Sequence, residues 1–383
     1  MTVDREIRLA RAYLLRVAEP PAIALGALVR ACGAVEAADL VRRAEVPDRV
    51  LEETSSRRHL ELAEEDMKTA ERVGARLAVP EDDDWPAWPL LPLDNALDRG
   101  LRWAGGPLGL WVRGAGSLAE SVRRAVSVVG ARASTNYGEH VAGEFGHELA
   151  SAGMTVVSGA AYGIDGAAHR GVLVAEGRTV AVLACGVDVG YPAGHVGLLD
   201  KIAGQGFVLS EYPPGTPPAR HRFLVRNRLI ACLGAGTVVV EAGTRSGARN
   251  TAATAAALGR VLMAVPGPIT SAMSAGCHEL IRSGLATAVS SVAEVIESVG
   301  DIGTDLVTRV DGESRSTDGL DPDSLRVHEA LDVRDGGSAE RLAVDSGVSI
   351  GRVRAVLSTL ELAGLAERCD SGWRRVKPPS RRR

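Results

Sequence analysis

Residues 237–251 read TVVVEAGTRSGARNT, where an apolar, β-branched run passes through a glycine-containing turn into a stretch of small and polar residues. A strand that is apolar at consecutive positions is buried on both faces, which is typical of parallel sheets covered by helices. The stretch therefore predicts a strand, a tight turn and a helix, which together form the repeating unit of α/β folds.

The same pattern recurs throughout residues 122–300. Further apolar runs predict strands at AVSVVG (125–130), MTVVSG (154–159), TVAVLACG (179–186), FVLSEY (207–212), VLMAVPG (261–267) and ATAVSS (286–291). Helical segments separate these runs, so right-handed crossovers should connect the strands of a mostly parallel sheet. The prediction for 122–300 is an extended, Rossmann-like, doubly wound α/β domain.

Sequence patterns divide the rest of the 383 residues. Apolar residues recur at helical spacing over 1–75, which predicts a small helical domain of the SAM or helix-hairpin-helix kind. Residues 76–121 include VPEDDDWPAWPLLPL, whose prolines and acids disfavour a long helix, so we expect an extended arm that ends in the strand GLWVRG. Gly, Asp, Ser and Thr dominate 301–322, which predicts a flexible linker. Three helical segments and a hairpin at 323–383 predict a winged-helix domain with a basic tail.

Bulk properties restrict the function classes. The five cysteines are odd in number and form no C-x-x-C pair, so neither a disulfide framework nor a structural zinc site is indicated. The sequence has no signal-peptide h-region and no uninterrupted apolar stretch of about 18 residues, which predicts a cytoplasmic protein without a membrane partner. None of the three lysines follows a glycine-rich loop, which excludes a P-loop. We expect no metal and no cofactor.

Three predicted turns follow strands and open helices, at 131–134, 160–165 and 244–251. Backbone N–H groups in such turns and at helix N-termini can bind an anion. The carboxyl ends of parallel strands share one edge of a sheet, so the three turns should converge there. Glycines at such turns can also serve only to allow a positive φ angle. The candidates in and beside the turns are Arg132, Ser158, Gly159, Gly163, Arg245, Ser246, Gly247 and Arg249.

Positive charge is densest between residues 220 and 250, with six arginines against the single acid Glu241, although the net charge of the chain is −4. On a helix, Arg222 and Arg226 are neighbours at i,i+4 spacing, and Phe223 lies among them. Cations that follow a phosphate backbone, beside a ring on which a base stacks, are typical of single-strand binding. A salt-bridged surface with Phe223 in the core remains an open alternative.

In combination and order, eight segments of the chain closely resemble the DNA processing protein A (DprA/Smf) family. They are VSVVGARASTNYG, TVVSGAAYGIDGAAHRG, TVAVLACGVDVGYP, LSEYPPGTPP, FLVRNRLIACL, VVVEAGTRSGARNTAATA, AVPGP and GCHELIRSG. The resemblance implies sequence-independent binding of single-stranded DNA, a homodimer formed through the Rossmann-like domain, and delivery of RecA onto DNA during natural transformation. It also implies no catalysis.

The resemblance assigns residues to these roles. Those expected to line the DNA groove are Arg132, Arg220, Phe223, Arg226, Asn227, Arg228, Ser246 and Gly247, with Phe223 as the stacking ring. His278 and Ile281 fall where the family places its dimer contact. The first turn reads Gly-Ala-Arg where Gly-Ser-Arg is usual in the family. The third turn has an alanine where a serine hydroxyl is commoner, but it adds Arg249. We therefore expect the affinity for DNA to be redistributed among the arginines.

Other functions are weighed against this one. The sheet also resembles nucleoside-monophosphate phosphoribohydrolases, whose P-G-G-x-G-T-x-x-E motif places a glutamate for glycosidic chemistry, but no acid closely follows Glu241 here. A transcription factor acting through the winged helix alone would leave the basic segment unexplained. Asp165 and His169 lie one helical turn apart and could touch. We expect a structural role for Asp165.

Overall fold

The computed structural model describes residues 3–244, 246–300, 317 and 319–377. The chain forms two compact units, residues 1–307 and residues 308–383. The described strands of the first unit are β1 (Ala75–Ala78), β2 (Leu110–Arg113), β3 (Ala125–Val129), β4 (Thr155–Ser158), β5 (Thr179–Val182), β6 (Phe207–Ser210), β7 (Gly236–Val239), β8 (Val261–Ala264) and β9 (Thr287–Ala288).

These strands form one sheet in the order β1-β2-β6-β5-β4-β3-β7-β8-β9. All neighbours from β6 to β9 pair in parallel, whereas β1 with β2 and β2 with β6 are antiparallel. The chain passes outward from β3 to β6 and then returns to place β7 on the other side of β3. The chain continues from β3 toward one side of the sheet and from β7 toward the other. This divergence leaves a crevice at the carboxyl ends of the two strands, where ligands of α/β sheets bind.

Helices cover both faces of the sheet. Those of the first unit are α1 (Arg5–Val17), α2 (Ile23–Cys32), α3 (Ala34–Arg43), α4 (Asp48–Thr54), α5 (Ala63–Arg72), α6 (Ala87–Asp98), α7 (Leu118–Val122), α8 (Asn136–Ser151), α9 (Ile164–Val174), α10 (Val196–Gln205), α11 (Arg220–Leu233), α12 (Gly247–Ala257), α13 (Ala275–Arg282) and α14 (Val292–Val299). A 3₁₀ turn, Ala193–His195, precedes α10.

The uninterrupted apolar strands are buried as the sequence predicted. Along β3, Val126 and Val128 belong to one apolar cluster, and Ala125 and Val129 belong to the other. Alternate residues of a strand point to opposite faces, so each strand contributes to two cores at once. The predicted mostly parallel α/β fold is confirmed.

The segment predicted as an extended arm is more regular than expected. Residues 87–98 form the helix α6 although Pro92 lies inside it, so the prediction of an irregular arm was wrong there. Pro89 falls in the first turn, where backbone N–H groups have no partner within the helix, and Pro92 costs a single further bond. The strands on either side of α6, β1 and β2, extend the main sheet at its antiparallel edge.

The N-terminal helices pack on that same edge. The core of α1 to α5 continues into Leu77 of β1 and Trp111 of β2, both of which are buried. The charged stretch 48–73, which the spacing predicted to be helical, is divided between α4 and α5. The helical segment therefore shares a core with the sheet and belongs to its compact unit.

The second unit is a winged helix. Its described elements are α15 (Pro322–Ala330), α16 (Ala339–Ser346), α17 (Ile350–Leu362), β10 (Ala366–Cys369) and β11 (Gly372–Arg375). The two strands pair antiparallel, and Gly337 forms a bridge to Trp373. The predicted linker 301–322 lies mostly outside the described residues. The basic tail Arg381–Arg383 lies wholly outside them. Within the described ranges, no helix is both long and apolar enough to cross a membrane.

Candidate nucleic-acid interface

A cleft of about 1010 Å³ opens where the carboxyl ends of β3 and β7 meet. The turns after β3, β4 and β7 line it together with α11, so the predicted convergence of the three turns is confirmed. The candidate residues that line the cleft are Arg132, Arg220, Phe223, Arg226, Asn227, Ser246 and Gly247. Seven of the thirteen predicted DNA-binding residues therefore lie together in this cleft.

The first turn carries Arg132, which is exposed at the rim of the cleft. The Glu241 side chain fixes the start of the next helix, α8, because its carboxylate accepts hydrogen bonds from the Thr135 N–H at 2.9 Å and the Thr135 hydroxyl at 2.6 Å. The backbone carbonyl of Glu241 also accepts from the Ala131 N–H at 2.8 Å. Glu241 is 1% exposed, and a Cβ on Gly138 would overlap its carboxylate.

The second turn is braced from within. The Asp165 carboxylate accepts from the N–H groups of Gly159 at 3.2 Å and Ala161 at 3.4 Å, so these two donors are already used. Gly163 has a φ of 77°, and a Cβ there would lie 2.7 Å from the Arg132 carbonyl oxygen. The second turn therefore supports the first, and the Asp165 carboxylate holds the backbone of its own turn.

Two polar side chains near this turn are turned into the interior. The Ser158 hydroxyl is buried and donates to the Val128 carbonyl at 2.6 Å. His169 contacts Thr179, with its Nδ1 2.7 Å from the hydroxyl oxygen. Burial lowers the pKa of His169 to about 3, so the ring is neutral at physiological pH.

Arg226 is a buried cation at the base of the cleft. Its guanidinium donates to the carbonyls of Gly159, at 3.0 Å, and Val182, and it lies 6.0 Å from the centroid of the Phe223 ring. Burial lowers the pKa of Arg226 to about 10, so the side chain still carries its charge at neutral pH. Beside it, the Asn227 amide donates to Asn250 at 3.2 Å.

Two other arginines of α11, Arg222 and Arg228, lie outside the lining of the cleft. Arg228 is 2% exposed and donates to both carboxylate oxygens of Glu211, at 2.5 and 2.7 Å. The structure thus places Arg228 in the core and not in the groove, because an unpaired carboxylate at Glu211 would be costly there. Arg222 donates to Glu19 of the N-terminal helical segment at 2.7 Å.

The third turn ends at the N-terminus of α12. Gly247 is exposed there, and the Ser246 hydroxyl has no hydrogen-bond partner among the described residues. A helix N-terminus carries a partial positive charge, which suits a phosphate group. Arg249 pairs with Glu279 at 3.0 Å, and Arg245 lies outside the described residues.

The residues expected at a dimer contact lie on α13, outside the cleft lining. His278 is half-buried, and its Nε2 is 2.9 Å from the Gly267 carbonyl oxygen. Ile281 is half-buried against the core. Their role between two chains stays a prediction.

Two exposed tyrosines near Phe223 were not among the residues predicted from the sequence. Tyr162 and Tyr191 are 48% and 37% exposed, and both line a small cavity next to the cleft. The available signal was that each tyrosine follows a predicted strand.

The architecture defines a Rossmann-like α/β protein with a C-terminal winged helix, in which arginines line the cleft at the carboxyl ends of β3 and β7. The chain belongs to the DNA recombination-mediator protein A family, whose model matches residues 76–300. The DprA winged helix domain matches residues 312–372.

Individual relatives agree with this assignment. A DprA homologue from Mycobacterium tuberculosis is 50% identical over 95% of this chain and 93% of its own length. The DNA processing protein DprA of Streptococcus pneumoniae is 43% identical over 45% of this chain and 60% of its own length. An X-ray structure of the pneumococcal protein aligns with a TM-score of 0.61 and 28% identity, covering 79% of this chain and all of that one.

Proposed function

We propose that this chain is a non-catalytic protein that binds single-stranded DNA without sequence preference in DNA recombination. The observation that carries the proposal is the cleft itself, which Arg132, Arg220 and Phe223 line together with the N-terminus of α12. Exposed guanidinium groups attract phosphates, and a half-buried ring accepts an unpaired base. Attraction to phosphates and stacking on a ring do not depend on the identity of the base.

The proposal extends to partners and place of action. By the family resemblance, the chain acts in the cytoplasm as a homodimer that contacts through His278 and Ile281, and it loads RecA onto the bound strand, as in natural transformation. Two measurements test these points. The mass of the protein in solution should correspond to two chains. RecA filaments should form faster on single-stranded DNA when the protein is added.

The phosphoribohydrolase alternative is less well supported. Such chemistry needs an acid that faces the substrate, whereas both carboxylate oxygens of Glu241 accept hydrogen bonds from Thr135 in the interior. Release of base from nucleoside monophosphates, abolished in Glu241→Gln, would favour the enzyme.

A titration tests the DNA-binding proposal. Labelled oligo-dT and a matched duplex are bound at several salt concentrations by the wild type, Arg132→Ala and the control Arg123→Ala. Arg123 is also exposed, but it precedes β3 and therefore lies at the amino ends of the strands, opposite the cleft.

We expect the wild type to prefer the single strand and its affinity to fall steeply with salt. Arg132→Ala should bind more weakly, with a slope of log K against log salt that is shallower by about 0.7. Equal binding of duplex and single strand, or an Arg132→Ala variant that behaves like Arg123→Ala, would overturn the proposal.

A further inference from the structure

A carboxylate of the N-terminal helical segment lies against the first turn of α11. It belongs to Glu19, which follows α1 and precedes α2. One of its oxygens accepts from Arg222 Nε at 2.7 Å and lies 3.1 Å from His221 Nε2. The other accepts from Arg57 Nη2 at 2.7 Å and from Arg222 Nη2 at 3.3 Å. A carboxylate has about four acceptor positions, so these contacts saturate it.

The positive groups at this point outnumber the acid. Arg57 and Arg222 each carry a permanent charge, and within the described residues neither of them pairs with an acid other than Glu19. One arginine already neutralises one carboxylate, so the cluster keeps an excess of positive charge while Glu19 is in place. A pair that served only to join the two segments would need no such excess.

Arg222 is held in position independently of Glu19. Its Nη1 donates to the Pro217 carbonyl at 2.6 Å, and its Cζ lies 5.0 Å from the centroid of the Tyr212 ring. The Arg222 side chain is 13% exposed, whereas that of His221 is 61% exposed. The cluster therefore has a fixed base and a side that is open to solvent.

The cluster also adjoins the cleft. Arg220 and Phe223 line the cleft, and His221 and Arg222 lie between them in the sequence of α11. An α-helix has about 3.6 residues per turn, so these residues belong to a single turn. A strand bound at Arg220 is therefore within one helical turn of the second group of cations.

We propose that the three donors around Glu19 form a second phosphate site, which continues the DNA path beyond the cleft. Glu19 occupies this site in the free protein, and a phosphate of the strand displaces it. The inference rests on the proposed function and deepens it, because it adds an internal competitor to the DNA path. It also brings the N-terminal helical segment into DNA binding, through Arg57.

The chemistry of the two anions supports such an exchange. A phosphodiester group, like a carboxylate, has two terminal oxygens that share one negative charge, and arginine binds both kinds of group with parallel hydrogen bonds. The donors that saturate Glu19 can therefore serve a phosphate without rearrangement of Arg222. Each strand that binds must replace the contacts of Glu19, so Glu19 lowers the affinity for DNA.

The first test removes the competitor. Glu19→Gln keeps the size of the side chain without its charge, and its oligo-dT affinity at low salt should rise about 2- to 5-fold. Glu64→Gln is the matched control, because it removes the same charge from an exposed pair with Arg5 in the same segment, and it should bind like the wild type. An affinity of Glu19→Gln that is unchanged or lower would overturn the proposal, since a purely anchoring ion pair predicts that result.

The second test separates a phosphate contact from a general effect of charge. In the Glu19→Gln background, Arg57→Ala should abolish the gain in affinity and make the slope of log K against log salt shallower by about 0.7. Arg58→Ala is the control in the same background, because Arg58 is also half-buried but donates to the Arg42 carbonyl at 3.1 Å. Equal affinities and slopes of the two double variants would mean that no phosphate binds at Arg57.

Inorganic phosphate distinguishes the strand from a small ligand of the same chemistry. It should raise the melting temperature of Glu19→Gln more than that of Glu64→Gln, because only Glu19→Gln has an open site. A rise of this kind together with unchanged oligo-dT affinity would show that the site takes free phosphate and not the strand, and the proposal would be wrong.

The outcome can be told apart from that of the proposed function. If the wild type binds oligo-dT with steep salt dependence, but the Glu19 and Arg57 variants behave like their controls, the second phosphate site is wrong and the DNA-binding proposal stands. If the wild type does not bind oligo-dT at all, both proposals fail. Should Glu19→Gln fail to fold, Arg57→Ala and Arg58→Ala are compared as single variants, and only Arg57→Ala should bind more weakly with a shallower slope.

Discussion

The guanidinium of Arg132 lies over the ring of Phe223, with its Cζ 4.9 Å from the ring centroid. The Cζ of Arg226 is 6.0 Å from the same centroid. A cation within about 6 Å of an aromatic face is attracted by the negative charge of that face. The ring of Phe223 thus couples an exposed arginine of the first turn to a buried arginine of its own helix.

This coupling predicts a non-additive effect on binding. Phe223→Leu removes both the stacking surface and the ring under Arg132, so oligo-dT affinity should fall about 5- to 30-fold. In a double-mutant cycle, Arg132→Ala should cost less in the Phe223→Leu background than in the wild type, because its position depends on the ring. Fluorescence titration of the four proteins measures the coupling, and strictly additive losses would contradict it.

Two arginines of α11 should differ in what their loss affects, one stability and the other DNA binding. Arg228→Met leaves the carboxylate of Glu211 buried without a partner and should lower the free energy of unfolding by about 3–5 kcal/mol. Arg220 is exposed at the cleft, so Arg220→Ala should leave stability unchanged and weaken binding of oligo-dT. Denaturant unfolding and DNA titration of both variants give the comparison. A stable Arg228→Met variant would mean that its ion pair is not essential to the fold.

Glu19 should make stability depend on pH in the acid range. Burial alone would raise its pKa, but hydrogen bonds from Arg222, Arg57 and His221 lower it to about 2. A carboxyl whose pKa is lowered by folding stabilises the protein above its unfolded pKa, near 4.5, and this contribution is lost as the pH falls toward 2.

Glu19→Gln should therefore reduce the free energy of unfolding by at most about 3 kcal/mol at pH 7, and the difference from wild type should shrink between pH 4.5 and 2. Urea unfolding across this range measures it. Glu64→Gln is the control, because the Arg5–Glu64 pair is exposed and should contribute little. A difference that is constant from pH 7 to 2 would exclude this mechanism.

The close packing of α8 on α9 depends on glycine. A Cβ on Gly146 would overlap the Ala168 carbonyl oxygen, a backbone atom that cannot move without the helix. Gly146→Ala should therefore destabilise the protein by about 1–3 kcal/mol. Gly204 in α10 has no neighbour within 4 Å of such a Cβ, and Gly204→Ala should be neutral or slightly stabilising. Equal melting temperatures of the two variants would show that α8 and α9 can separate at no cost.

Sequence patterns predicted the fold well where one physical cause dominated. Runs such as TVVV at 237–240 are apolar without alternation because helices cover both faces, and this follows from the sequence alone. The pattern failed at α6, since prolines argue against a helix in general, but Pro89 occupies a first-turn position, where it removes no bond, and Pro92 removes only one. Position within the helix, and not composition, decided that segment.

The amino-acid sequence was sufficient to predict the α/β architecture, the winged helix and the meeting of three turns at the carboxyl ends of the strands, because strand direction fixes where those ends lie. It could not determine what each arginine of α11 faces. Successive helical residues point about 100° apart, so Arg222 reaches Glu19, Arg226 reaches the carbonyl oxygen of Gly159, and Arg228 reaches Glu211. Those partners come from distant parts of the chain, as do Tyr162 and Tyr191, and only tertiary packing brings them together.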